Sequence, residues 1–216
     1  MARPSRFDHD QFLDAAVRLT AAGGPQAVTM TACAQEVGAP SGSIYHRFRS
    51  RPVLLAEAWL RTVERFQSGY FDCFAAPTTV RRTCRAAARH VVAWSRANPQ
   101  EAALLLYGAA DFGRADWPEA YVRRANDGHQ RVRTAMVAVA DLIAPGNTPA
   151  VDRTRLALID LPLAVVRRHL RSGEPLPDHA EALAEDGAEA LLGPFDSDRR
   201  LLPLDFRTDG DAGAGA

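Results

Sequence analysis

The stretch "VTMTACAQEVGAPSGSIYHRFRSRPVLL", Val28 to Leu55, decides how the chain folds. Thr29 is placed to cap a short helix whose apolar face, at helical spacing, is Met30, Cys33, Ala34 and Val37. Gly38-Ala39-Pro40 makes a three-residue turn. A third helix is expected from about Ser41 to Phe48, and Ser50 can cap a fourth, whose first turn tolerates Pro52. Upstream, Asp8 and Gln11 have the spacing of a capping box, with Phe7 and Phe12 placed as a hydrophobic staple. Phe12, Ala15, Ala16 and Leu19 repeat along the first helix, and Gly23-Gly24 stops it. Two short helices joined by a tight glycine-containing turn, braced by a preceding helix, describe a helix-turn-helix.

A helical wheel divides the third helix. Ile44 and Phe48 fall together on the core side, with Ser41 nearby. Gly42, Ser43 and His46 lie opposite, flanked by Tyr45 and Arg47. No acid stands between Pro40 and Leu55. Small residues let a helix backbone approach the floor of the major groove, and flanking donors reach phosphates. His46 can donate to a purine acceptor or to a phosphate, and Arg47 is better placed for phosphate. Arg49, Arg51, Thr29 and Thr31 are placed to grip the DNA backbone on either side. The DNA-binding set expected from this division is Thr29, Thr31, Gly42, Ser43, Tyr45, His46, Arg47, Arg49 and Arg51. Each of these taken singly is equally compatible with a cap or a solvated side chain, and only the joint pattern points to DNA.

Composition bounds the remaining possibilities. With 216 residues, 47% of them apolar, the chain can bury a sizeable core. Its formal net charge is zero, so any basic surface must be local. The 26 basic residues are all arginine, which supplies fork-shaped donors wherever a cation is needed. No apolar run is long enough to span a membrane, and the N-terminus has no apolar signal core, so a cytoplasmic location is expected. Cys33, Cys73 and Cys84 form no CxxC pair and read as reduced, apolar residues. No GxSxG elbow, HExxH pair or phosphate-binding glycine loop is present, so neither an enzyme nor a cofactor is expected.

Everything after Leu54 reads as helix. The expected organisation is a head over residues 1–51, a helical ligand-binding and dimerisation domain over 52–195, and a disordered tail over 196–216. Phe66, Tyr70, His90, Trp94, Tyr107, Phe112, Trp117, Tyr121 and His129 are the candidate pocket, an alternative to plain core packing. Leu156, Ile159, Leu163, Val166 and Leu170 form a narrow apolar seam, and Ala180, Ala184, Gly187 and Leu191 a small-residue face; together they suit a helical bundle between two copies, the alternative being that both faces pack inward on their own domain. Pro162 inside the seam helix should kink it or loosen one turn. Arg81, Arg82, Arg85, Arg89 and Arg96 lie in an acid-free stretch and read as solvated.

The segment Phe12 to Trp59, "FLDAAVRLTAAGGPQAVTMTACAQEVGAPSGSIYHRFRSRPVLLAEAW", resembles the N-terminal domain of TetR-family transcriptional regulators. The resemblance implies an all-α protein and a homodimer whose paired recognition helices enter successive major grooves of a near-palindromic operator. It places Ser41 on the recognition helix and so adds it to the expected DNA-binding set. It further implies a small molecule that binds among the C-terminal helices and releases the DNA, as in a repressor. The family often has lysine at the position of Arg51, where arginine keeps the cation. No bulky base reader stands on the exposed ridge, which favours backbone and shape readout. The alternative is a helical small-molecule-binding or interaction protein that does not bind DNA.

Overall fold

The computed structural model describes residues 7–75, 78–147, 149–193, 200–201 and 203–204. Helices dominate: α1 (His9–Gly23), α2 (Met30–Val37), α3 (Arg51–Ala75), α4 (Val80–Ala97), α5 (Pro99–Leu105), α6 (Glu119–Ile143), α7 (Pro149–Arg155), α8 (Leu161–Ser172) and α9 (Ala180–Leu192). Two-residue strands β1 (Thr78–Thr79) and β2 (Arg200–Leu201) pair antiparallel, with Thr78 opposite Leu201. The fold is all-α, as the periodicity indicates.

Residues gather into two compact units, Met1–Phe66 with Trp94–Asp127, and Gln67–Ala93 with Gly128–Ala216. Compactness thus adds the start of α3, all of α5 and the start of α6 to the helix-turn-helix segment.

The first unit begins as the sequence indicates. Gln11 N–H donates to Asp8 Oδ1 at 2.8 Å, and Asp8 N–H to Gln11 Oε1 at 3.0 Å, closing a capping box on α1. Gly24, at φ +74°, ends the helix and donates its N–H to the Thr20 carbonyl. The Thr29 hydroxyl oxygen accepts from Ala32 N–H at 3.0 Å and caps α2. Phe12, Ala16, Cys33, Ile44, Phe48 and Leu54 are completely buried in one core. At about 25 cal/mol per Å² of apolar area removed from water, such residues supply most of the drive that orders this short-helix assembly.

In the second unit the seam helix loosens next to Pro162, one of the two outcomes expected from its sequence: the chain widens into a π turn at Leu156–Asp160 between α7 and α8. Pro162 has no N–H to offer the Leu158 carbonyl, so the regular ladder cannot pass through it, and the π turn absorbs the mismatch. Arg200 and Leu201 fall within the segment 196–216 expected to be disordered, yet they pair with β1. Leu201 is buried, and Leu204 N–H donates to the Phe74 carbonyl at 3.0 Å, so one apolar side chain and a few backbone bonds anchor this piece. The rest of that segment, apart from Pro203, lies outside the described residues.

Candidate nucleic-acid interface

The reading segment is tighter than the expected helix from Ser41 to Phe48. It is a run of turns around one 3-10 turn, Ile44–His46. Ser43 N–H and Oγ both donate to the Pro40 carbonyl, at 2.9 and 2.6 Å, and Arg47 and Phe48 N–H both donate to the Ile44 carbonyl at 2.9 Å. Ser41-Gly42-Ser43 are weak helix formers, and the Ser43 hydroxyl competes for a carbonyl that a regular helix would use. The division into two faces survives. Ile44 and Phe48 are fully buried, Ser41, Gly42, Tyr45, His46, Arg47 and Arg49 are exposed, and Ser43 is half-buried. Ser41 thereby joins the outward face rather than the core side.

The flanking cations differ in what holds them. Arg49 is exposed. Arg47 reaches back to the Phe7 carbonyl through Nη2 at 3.2 Å. Arg51, half-buried at the start of α3, donates from Nε to the Val28 carbonyl at 2.7 Å and from Nη2 to the Pro25 carbonyl at 3.0 Å. Those donors hold the connection between α1 and α2. Thr31 is exposed on the first turn of α2, while the Thr29 hydroxyl serves its cap.

A cluster behind the reading segment involves two residues that no sequence pattern marks out. The His9 ring stacks on Phe48 with centroids 4.5 Å apart, and its Nε2 lies 2.6 Å from Glu57 Oε2. The other Glu57 oxygen accepts from Tyr121 Oη at 2.5 Å. Burial, then the bond to Glu57, push the Tyr121 hydroxyl up to about 12, so it stays a proton donor. His9 sits just after a cap and Glu57 on an ordinary helical face, so neither carries a signal in spacing.

Residues 12–58 match the family model of bacterial regulatory proteins, tetR family. The chain carries a TetR-family head. Solved structures extend the likeness in fold to nearly the whole chain. The TetR-family transcriptional regulator PfmR from Thermus thermophilus matches with a TM-score of 0.67 at 15% identity, over 89% of this chain and 99% of its own. The ketosteroid transcriptional regulator KstR2 of Mycobacterium tuberculosis gives 0.67 at 19%, over 89% and 95%. The transcriptional regulator FadR from Bacillus subtilis, solved in complex with stearoyl-CoA, gives 0.65 at 13%, over 86% and 98%. No protein of curated function matches by sequence.

The residues read as candidate pocket walls take part in several local packing contacts. Phe112 and Trp117 belong to the core of the first unit, where Trp117 Nε1 donates to the Phe112 carbonyl at 2.9 Å and its ring tilts against Trp59. Tyr121 is engaged by Glu57. Tyr107 is 37% exposed and covers Gly24, where an added Cβ would lie 3.2 Å from its hydroxyl. Phe66 and Trp94 meet edge to face at 5.3 Å. Tyr70 and His90 pack together in the second unit, with Tyr70 buried, whereas His129 is exposed. Filling cores takes precedence for such large side chains. A polar cleft of about 410 Å³ in the first unit is lined instead by Asp14, Val17 and Arg18 of α1, Arg65 of α3 and residues 97–101.

The small-residue face of α9 is used inside the second unit. Ala180, Ala184, Ala188 and Leu192 are buried, as is Val166 of α8. A Cβ on Gly187 would sit 2.7 Å from Leu161 Cδ2, so α8 and α9 approach closely there. Leu156 is 45% exposed, and Ile159, Leu163, Leu170 and Leu191 are half-buried. Arg81, Arg85 and Arg89, read from sequence as solvated, pair with α9. Arg85 bonds Glu185 at 2.5 Å and Glu189 at 2.7 Å, Arg89 reaches Glu185 at 3.2 Å, and Arg81 pairs with Glu189. The bond to Glu189 raises the Arg85 guanidinium above its already high range.

Proposed function

We propose that the chain is a ligand-responsive, homodimeric transcriptional regulator, acting as a repressor in the cytoplasm. Its head binds near-palindromic operator DNA, and a small-molecule effector releases it. The observation that carries the reading is the exposed, acid-free ridge of Ser41, Gly42, Tyr45, His46, Arg47 and Arg49, mounted on fully buried Ile44 and Phe48. Gly42 and Ser43 let the backbone approach the groove floor, His46 is the base-edge donor, and Tyr45, Arg47, Arg49 and Thr31 contact phosphate. Arg51 and Thr29 act indirectly, by holding the connection and the helix that frame the ridge.

Two heads on one face of DNA must sit about 34–36 Å apart, or a multiple of it. An effector that favours another separation needs a differential affinity of only about 1–3 kcal/mol to matter, and the coupling is reciprocal. The stearoyl-CoA in the FadR structure and the ketosteroid regulator among the structural neighbours support a small-molecule effector and make acyl-CoA and steroid compounds the first to try. The half-exposed side chain of Leu156 supports a second copy against the π turn that precedes α8.

The test is an electrophoretic shift with the intergenic DNA upstream of the chain's own gene, repeated with candidate effectors. A specific shift is expected, falling steeply with salt as phosphate contacts release counterions, and lost when the effector is added. A folded dimer that selects no sequence from that DNA or from a random duplex pool would defeat the reading.

A further inference from the structure

We infer that Glu57 is a positioning residue for DNA recognition, locking the reading segment to the first turn of α6 through His9 on one side and Tyr121 on the other. The inference rests on the DNA-binding reading of the head.

The two carboxylate oxygens serve different elements. Oε2 faces His9 Nε2 at 2.6 Å, and Oε1 accepts from Tyr121 Oη at 2.5 Å. His9 is the first residue of α1, Glu57 lies on the second turn of α3, and Tyr121 begins α6. The His9 ring in turn lies flat on Phe48 at 4.5 Å, and Phe48 meets Phe12 edge-on at 6.3 Å. Phe48 is fully buried and closes the segment that presents Tyr45, His46 and Arg47. The plane and height of the His9 ring therefore set where that segment sits, and Glu57 sets the His9 ring.

Glu57 is suited to this task. Its side chain is only 19% exposed, so water competes weakly for its oxygens. Both oxygens are committed in different directions, so a shift of Tyr121 moves the carboxylate and, through it, His9 and Phe48. Three guanidinium groups stand nearby: Arg49, whose charge acts on the Tyr121 hydroxyl, Arg124, paired with Glu64 at 2.9 Å, and Arg61, paired with Asp14 at 2.6 Å.

The experiment measures binding of a duplex selected by the wild-type protein from a random pool, beside a scrambled duplex. Glu57→Gln keeps the shape and replaces one acceptor oxygen with a donor, His9→Phe keeps the stack on Phe48 and loses the link, and Tyr121→Phe loses only the hydroxyl. Each is expected to weaken the selected duplex at least about fivefold, with scrambled binding and the salt slope unchanged. In a Glu57→Gln background the other two changes should add little, since they act through the same carboxylate. Urea unfolding of each variant separates this from general loss of fold. Unchanged selectivity in all three variants, or losses that multiply independently and track unfolding midpoints, would overturn the inference while leaving DNA binding itself intact. A wild-type protein that enriches no duplex would instead remove the reading on which it rests.

Discussion

Arg51 lies across two carbonyls, its Nε 2.7 Å from Val28 O and its Nη2 3.0 Å from Pro25 O. A cation that the sequence places at the edge of a DNA-reading segment thus holds the connection before α2. Removing it as Arg51→Ala leaves those carbonyls to water and should cost about 1–2 kcal/mol, the lower part of the range for charge-assisted bonds because the site is half exposed. Urea unfolding reads that loss. DNA affinity should fall as well, but the slope of log affinity against log salt should stay near the wild-type value. Arg49→Ala should leave stability alone and lower the slope by about one. Equal drops in slope would place Arg51 on phosphate.

Gly42 gives a second, opposite kind of result. Its φ is not positive and an added Cβ would meet nothing within 4 Å, so alanine fits there. Gly42→Ala should stabilise the reading segment by up to about 1 kcal/mol, because alanine loses less backbone freedom on ordering. The same methyl stands on the face proposed to enter the groove, so selected DNA should bind more weakly. A variant that is both more stable and tighter on DNA would show that Gly42 stays clear of the groove.

These cases show what the sequence discloses and what it withholds. Caps are local, so Asp8, Gln11, Thr29 and Gly24 could be placed from spacing alone, and the burial of Ile44 and Phe48 follows from their four-residue separation. The regularity of the third helix did not follow, because Ser41, Gly42 and Ser43 are held by turn bonds that a wheel does not represent. Long-range partners were also hidden. Glu57 meets His9 and Tyr121 across 48 and 64 positions, and Arg85 meets Glu185 across 100, separations at which pattern carries no signal. The four-residue spacing of Arg81, Arg85 and Arg89 and that of Glu185 and Glu189 mark two complementary rows without showing that they meet.

The packing of α9 predicts two different failures. Ala184 is fully enclosed, so Ala184→Leu must displace its neighbours and should cost about 1–3 kcal/mol of unfolding free energy. Leu156 is 45% exposed, so Leu156→Glu should barely alter the stability of the single chain yet shift a dimer toward monomer. Sedimentation and urea unfolding separate the two effects. A monomer produced by Ala184→Leu at full stability would return α9 to the subunit contact.

The arginine row on α4 should behave as a screened network. Arg85 pairs with Glu185 and Glu189 while its side chain stays 35% exposed, so Arg85→Gln should cost only about 0.5–1 kcal/mol at low salt. The difference from wild type should shrink toward zero near 1 M salt, where the Debye length is about 3 Å. A cost that persists at high salt would mean that the aliphatic part of Arg85 contributes by packing.

Burial pushes the Cys33 and Cys84 thiols up to about 12 and, with Asp72 nearby, the Cys73 thiol up to about 11. A thiol kept protonated is a poor nucleophile, so iodoacetamide should label the native protein slowly near pH 8 and the urea-unfolded chain rapidly at all three positions. The folded chain binds these protons more tightly than the unfolded chain, whose thiols ionise near about 8.5. Stability is therefore unaffected by these groups below that pH and falls as the pH rises from about 8.5 toward 11–12, where the folded thiols also ionise. The buried Tyr70 hydroxyl, also raised by burial, acts in the same direction from about pH 10, where an unfolded tyrosine ionises. Unfolding midpoints near pH 7, 9 and 10 check the sign, since a rise across that series would mean that the thiols are ionised in the folded protein.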